Sequence, residues 1–245
     1  MGPSASILAF AMESPKGTLW YRFILFLARE IAFRALGGFV TKGWKNIPLT
    51  GPVIIAPNHM SFLDPPLAAC GMKRALTFMA KEELFKPFFL GWLIRSVGAF
   101  PIRRGENDTS AIRMALDLLN QGRAVIVFPE GTRGQGEVMG PILPAVPMLA
   151  KRTGAWVVPV GITGTQRVWP KGQSRPGRGR MTIRYGKPFR WNDLEALYPQ
   201  SSERDRKELF SHELATRIRK LCEEDGLSLR IESNTKDPSK SRSGE

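Results

Sequence analysis

Residues 52–66 read PVIIAPNHMSFLDPP. Pro52 to Ala56 is a short apolar run rich in β-branched residues, the pattern of a strand buried on both faces. Asp64 with Pro65 and Pro66 behind it marks a helix start, an acidic cap with proline in the first turn. Between strand and helix lies the loop Pro57 to Asp64. Strand, loop and helix are repeated downstream. Leu76–Ala80, Ala124–Phe128, Ala155–Val160 and Met181–Tyr185 read as strands, and Ala99–Ile102 as a short edge strand. Glu82–Arg95 is helix-like with a break at Pro87, Asp108–Gln121 is a helix stopped by Gly122, a proline-interrupted helix follows the 128–134 loop, and the last helix runs from Ser202 to Gly226. Alternation of this kind predicts an α/β domain with a mixed, largely parallel central sheet flanked by helices.

Upstream, Gly17 to Val40 reads GTLWYRFILFLAREIAFRALGGFV. On a helical wheel Arg22, Arg29, Glu30 and Arg34 fall within an arc of about 140°, and the rest of the circumference is apolar. Those charges interrupt the run of about 20 apolar residues that a spanning helix needs, and no uncharged core with a cleavage site marks a secretory signal. One helix or two, amphipathic and suited to lying in a bilayer interface, is expected; a surface helix packed on the protein's own core is the alternative. The expected organisation is an N-terminal docking segment over 1–43, one α/β domain over 44–230 and a disordered tail over 231–245.

Of 245 residues, 42% are hydrophobic and 24% charged, so wholesale disorder is excluded. A net charge of +14 points to a polyanion as partner: nucleic acid, anionic lipid or a phosphorylated substrate. Cys70 and Cys222 cannot make a disulfide framework or a four-cysteine zinc site, and they suit a reducing compartment. The two histidines, His59 and His212, exclude a multi-histidine metal site.

Loops leaving the carboxyl ends of strands are the usual functional edge of such sheets. Two of them carry chemistry, residues 57–64 and 128–134. On one regular helix His59 and Asp64 would be separated by about 500° and could not meet. In a loop that turns into a helix, the carboxylate can fold back on Nδ1, fix the tautomer and leave Nε2 free to take a proton from a hydroxyl. Spacing alone leaves open that Asp64 is only a helix cap and His59 a hydrogen-bonded structural residue. In the second loop Gly131 lets a ligand approach the backbone, Thr132 offers a hydroxyl and Arg133 a guanidinium fork suited to phosphate. Lys81 and Arg104 also follow strand ends. With Arg133 they could converge on one anion, or be ordinary solvated charges. There is no GxxxxGK[ST] loop, residues 134–139 end wrongly for a dinucleotide fingerprint, and residues 172–176 lack the last glycine of a nucleophile elbow.

Four blocks occur in order: Asn58-His59 with Asp64, Gly98-Ala-Phe-Pro-Ile-Arg-Arg104, Phe128-Pro-Glu-Gly-Thr-Arg133 and Val158-Pro159-Val160. In this the chain resembles the glycerolipid acyltransferase superfamily, and most of all its 1-acyl-glycerol-3-phosphate (lysophosphatidic acid) acyltransferase branch. The resemblance implies transfer of an acyl chain from a thioester of coenzyme A or acyl carrier protein to the sn-2 hydroxyl of lysophosphatidic acid. His59 would be the general base and Asp64 its partner. Arg104, Glu130, Gly131, Thr132 and Arg133 match acceptor-binding blocks, Lys81 matches a phosphate-contacting lysine, and Pro159 matches a block linked to the acyl donor. No cofactor or metal is implied, since the thioester is already activated. The setting implied is monotopic, on an anionic membrane surface at the cytoplasmic face of the cell membrane, with no nucleic acid as partner. Another lysolipid or a lipid amino acid is the alternative acceptor. A basic membrane- or nucleic-acid-binding module without catalysis is the alternative class.

Overall fold

The computed structural model describes residues 19–102, 109–134 and 137–231. Its strands are β1 (Phe39–Lys42), β2 (Val53–Pro57), β3 (Leu76–Lys81), β4 (Ala99–Ile102), β5 (Ala124–Ile126), β6 (Val138–Met139), β7 (Trp156–Thr163), β8 (Met181–Tyr185) and β9 (Arg230–Ile231). Seven of them form one sheet in the order β1-β8-β7-β2-β5-β3-β4. Every neighbouring pair is parallel except β7 and β8. This is the mixed, largely parallel sheet expected. β6 and β9 pair separately and in parallel, a short ladder that the sequence did not lead us to expect.

The apolar run in β2 is continuous because both faces of the sheet are covered. Ile54 and Ala56 point into a core shared with α4 (Thr109–Asn120), α5 (Ala145–Thr153), α7 (Trp191–Leu197) and α8 (Glu203–Glu223). Val53 and Ile55 point the other way, into a core shared with Leu67 of α2 (Asp64–Cys70), Val168 of α6 (Thr165–Val168), Tyr21 and Phe33. Ile54 is wholly buried, and its truncation to alanine would cost about 2–5 kcal/mol. Ser202 caps α8 as its sequence suggests, its hydroxyl accepting from the N–H of Asp205 at 3.2 Å. Pro101 lies in the edge strand β4, where a missing donor is tolerated.

The N-terminal segment is helical, as α1 (Leu19–Leu27) and a π-helical continuation over Ala28–Phe33. It lies across one face of the sheet. The hydroxyl of Tyr21 accepts from the N–H of Leu76 at the start of β3 (3.1 Å), and the carbonyl of Leu36 accepts from Gly179 shortly before β8 (2.8 Å). Three expectations need correction. The helical reading to Val40 runs too far: Phe39–Lys42 is a strand paired with β8, so the sheet takes in residues before position 44. Ile231, assigned to a disordered tail, pairs with Met139, and residues 232–245 lie outside the described residues. Asp64 opens α2 but its side chain does not cap it, being turned back toward the preceding loop.

Candidate active site

β2, β5, β3 and β4 are neighbours and parallel, so the chain leaves all four at the same edge. Asn58 follows β2 directly. Its side chain extends the ladder to β7, donating to the carbonyl of Ile162 (2.9 Å) and accepting from the N–H of Ile162 (2.7 Å). That pair of bonds fixes the direction in which the loop departs. In the sequence Asn58 has no role of its own beyond its block, and its place immediately after a buried strand is the signal that marks it.

His59 is clamped at its backbone. Its N–H donates to Oε1 of Glu130 (2.8 Å), and its carbonyl accepts from the N–H of Gly134 (2.8 Å). Its ring stacks on Phe128 with centroids 3.8 Å apart. Nδ1 lies 2.9 Å from Oδ2 of Asp64. The same oxygen accepts from the N–H groups of Met60 and Ser61, each at 2.7 Å. Backbone N–H groups can only donate, so Oδ2 acts as acceptor toward its neighbours. Nδ1 then carries the proton and Nε2 keeps its lone pair, a tautomer assigned from the network. Asp64 is fully buried and His59 is 8% exposed, lining a cavity of about 440 Å³. The rest of that cavity is almost wholly apolar, with Met79, Ile112, Val127, Leu143 and Met148 among its walls.

Glu130 is placed differently from the acceptor-binding position its block implies. It is buried, and both oxygens are occupied, Oε2 accepting from the N–H of Gly140 at 2.9 Å. It ties the His59 loop to the segment before α5. Burial pushes its carboxyl from 4.5 up to about 7; the bonds from Gly140 and His59 offset this in part, and the charge of Asp64 adds to it. Gly134 must be glycine, since a Cβ there would stand 2.6 Å from the carbonyl oxygen of Val138.

Gly131 and Thr132 are beside this brace, near the surface. The Arg133 guanidinium lies 3.7 Å over the ring of Phe62, which in turn leans on Trp169 at 5.6 Å. The Ser61 hydroxyl donates to the carbonyl of Trp169 (2.8 Å) and accepts from the N–H of Leu63 (3.2 Å), so it holds the turn together. Phe62 is not marked in the sequence, because an aromatic residue in a loop carries no periodicity, and Phe128 stands there only as the end of a strand and the start of its block. Lys81 ends β3, paired in register with Ile102. Arg104 lies outside the described residues, two positions past the end of β4. Pro159 is buried within β7, opposite Ala56, and is not among the residues lining the His59 cavity. Its carbonyl accepts from Gly186 just past the end of β8 (2.8 Å), so its missing N–H faces the side where that neighbour stops and no bond to β2 is lost.

A sequence model described as "Acyltransferase" matches residues 39–163. The 1-acyl-sn-glycerol-3-phosphate acyltransferase of Streptococcus pneumoniae is 31% identical over 174 residues, 70% of this chain and 61% of that protein. The lyso-ornithine lipid O-acyltransferase of Pseudomonas aeruginosa is 35% identical over 113 residues, 46% of this chain and 43% of that protein. The chain therefore spans only part of the length of these relatives. Among solved structures, the 1-acyl-sn-glycerophosphate (LPA) acyltransferase PlsC of Thermotoga maritima superposes with a TM-score of 0.64 at 27% identity, covering 89% of this chain and 86% of that one.

Proposed function

The chain belongs to the acyltransferase family, and from that premise we propose that it transfers a fatty acyl group from acyl-CoA or acyl carrier protein to the sn-2 hydroxyl of 1-acyl-glycerol-3-phosphate, giving phosphatidic acid. The observation that carries this is the buried His59–Asp64 pair, whose imidazole lines an apolar cavity. Nε2 of His59 takes the hydroxyl proton as the oxygen attacks the thioester carbonyl. Asp64 stabilises the imidazolium so formed. The tetrahedral intermediate collapses, the C–S bond breaks, and the imidazolium returns its proton to the leaving thiolate. The thioester is activated already, so the step calls for positioning and a base, with no cofactor. An acyl chain suits the cavity walled by Ile112, Leu143 and Met148. The acceptor phosphate is assigned to Arg133, with Lys81, Arg104, Gly131 and Thr132 as the further contacts that their blocks imply and Glu130 as the brace behind. Pro159 keeps the donor-side role that its block implies.

We place the protein monotopically on the cytoplasmic face of the cell membrane, with α1 as its dock. Leu19, Phe23 and Phe26 of α1 are exposed, and no helix among the described residues is long and apolar enough to cross a bilayer. The purified protein, given radiolabelled acyl-CoA or acyl carrier protein thioester and a panel of lysolipids, should acylate lysophosphatidate. His59→Ala should lose at least about 10²-fold in rate with the fold intact. No transfer to lysophosphatidate would remove this acceptor, and transfer to lyso-ornithine lipid instead would favour the reading supported by the Pseudomonas relative. Full activity in His59→Ala would remove the mechanism.

A further inference from the structure

α3 (Phe88–Ser96) lies far from α1 in sequence and beside it in space. Trp20 of α1 packs on Trp92 of α3 with centroids 5.4 Å apart, and its indole N–H donates to the Ser96 hydroxyl at 3.0 Å. Soluble surfaces do not normally leave large apolar side chains side by side in water. Here Phe88 is 80% exposed, Phe89 82% and Trp92 52%, next to Leu19 at 86%, Phe23 at 50% and Phe26 at 60%. α3 follows the carboxyl end of β3, the edge at which His59 stands.

What covers this face is indicated by its charged flank. Two turns apart, Arg22 of α1 and Arg29 of its continuation stand on the side away from α3. With Lys73 they line a groove of about 590 Å³ whose walls, among the described residues, include no acidic side chain. The adjoining groove shares Arg29 and Lys73 and likewise has no acid in its described walls. The acids nearest in sequence are Glu30, which contacts Arg29 and Arg34 (3.4 and 3.0 Å), and Glu82 and Glu83 in the turn that precedes α3. Across α1 the order is therefore cations, then Leu19, Phe23 and Phe26, then Trp20, then the aromatic residues of α3. Cations beside aromatic residues on one face are the arrangement of a helix lying in the interface of an anionic leaflet.

We infer that α3 is a docking element in addition to α1, and that Phe88, Phe89 and Trp92 enter the same anionic lipid leaflet as α1. This rests on the membrane placement proposed above and adds to it a segment that no part of that placement requires. Seating two helices also sets orientation, because a single helix leaves the body free to roll about its axis.

The test uses the whole protein and sedimentation with vesicles of equal parts phosphatidylglycerol and phosphatidylcholine. Phe88→Ser/Phe89→Ser and, separately, Phe23→Ser/Phe26→Ser should each weaken partitioning by about tenfold or more. Binding by wild type and loss in the α1 variant with none in the α3 variant would overturn the inference and leave α1 docking standing. Failure of wild type to bind would sink both. A probe gives an independent check. Cys70 and Cys222 are buried, so Phe89→Cys can be labelled with an environment-sensitive dye, whose emission should shift to the blue on adding vesicles. No shift would overturn the inference. A gel-filtration shift in the α3 variant, with vesicle binding unchanged, would assign the face to a second copy of the chain and overturn it too.

Discussion

Replacing Glu130 by glutamine should change the pH dependence of stability more than stability itself. The folded carboxyl titrates at about 7 against an ordinary 4.5, chiefly because it is buried. Between those values the folded protein holds a proton that the unfolded chain has released, so the contribution of Glu130 is fully present below about pH 4.5 and is lost as pH rises toward 7. Over pH 5 to 8 the loss comes to about 2–3 kcal/mol, since each unit of displacement is worth about 1.4 kcal/mol. The glutamine side chain cannot ionise, and the stability of Glu130→Gln should lack this slope. At pH 5 the variant faces a protonated, near-isosteric wild type, and the two should be similar. At pH 8 the variant should gain on wild type by that amount. It should nevertheless be the poorer catalyst. Two backbone N–H groups, of His59 and Gly140, need acceptors, and the amide supplies one oxygen and turns its NH₂ toward the other. Urea titrations of both proteins at intervals from pH 5 to 8 measure the difference. A difference that stays flat within about 0.5 kcal/mol across that range would refute the buried, titrating brace.

The other expectations follow from single contacts. Asp64→Asn should cut the transfer rate by about 10²–10⁴-fold, because the amide disfavours the Nδ1–H tautomer while leaving the loop nearly in place; single-turnover kinetics with unchanged circular dichroism would show it, and near-normal rates would discount the pair. Phe62→Leu removes the ring beneath the Arg133 guanidinium at 3.7 Å and should raise KM for a phosphate-bearing acceptor about 2–10-fold with kcat little changed, in line with a cation–π contact of about 0.5–1.5 kcal/mol. An effect on kcat alone would contradict that role. Gly134→Ala should lower both melting temperature and activity, since the new methyl would meet backbone at 2.6 Å; a variant as stable as wild type would show that the loop yields more easily than its contacts indicate.

Much of this was legible in sequence because the central strands are apolar on both faces and their helices carry clear stops. The residues of β2 and β5 alternate between two cores, yet their run reads the same however the sheet is ordered, so strand order was not legible. β1 was hidden because Phe39–Lys42 continues an apolar helix-like stretch and acquires its strand character only from β8. Two-residue strands such as β6 and β9 have no period to detect. At the site, the His59–Asp64 spacing offered a pair that only the folded loop could close. The place of Glu130 was not legible, because an acidic residue in a glycine-containing loop reads as exposed, and its burial depends on two N–H groups from distant segments.

The β6–β9 ladder has a consequence for the order of events during synthesis. Val138 and Met139 border Gly140, which holds Glu130, and their strand partners are Arg230 and Ile231. Nascent chains fold from the N-terminus as they emerge, so the histidine loop and its glutamate are available long before the segment that fastens their support. A ribosome-bound chain halted ahead of Arg230 would have its proton-transfer pair translated and its fastening strand missing. Competence would then wait on the synthesis and emergence of Arg230 and Ile231.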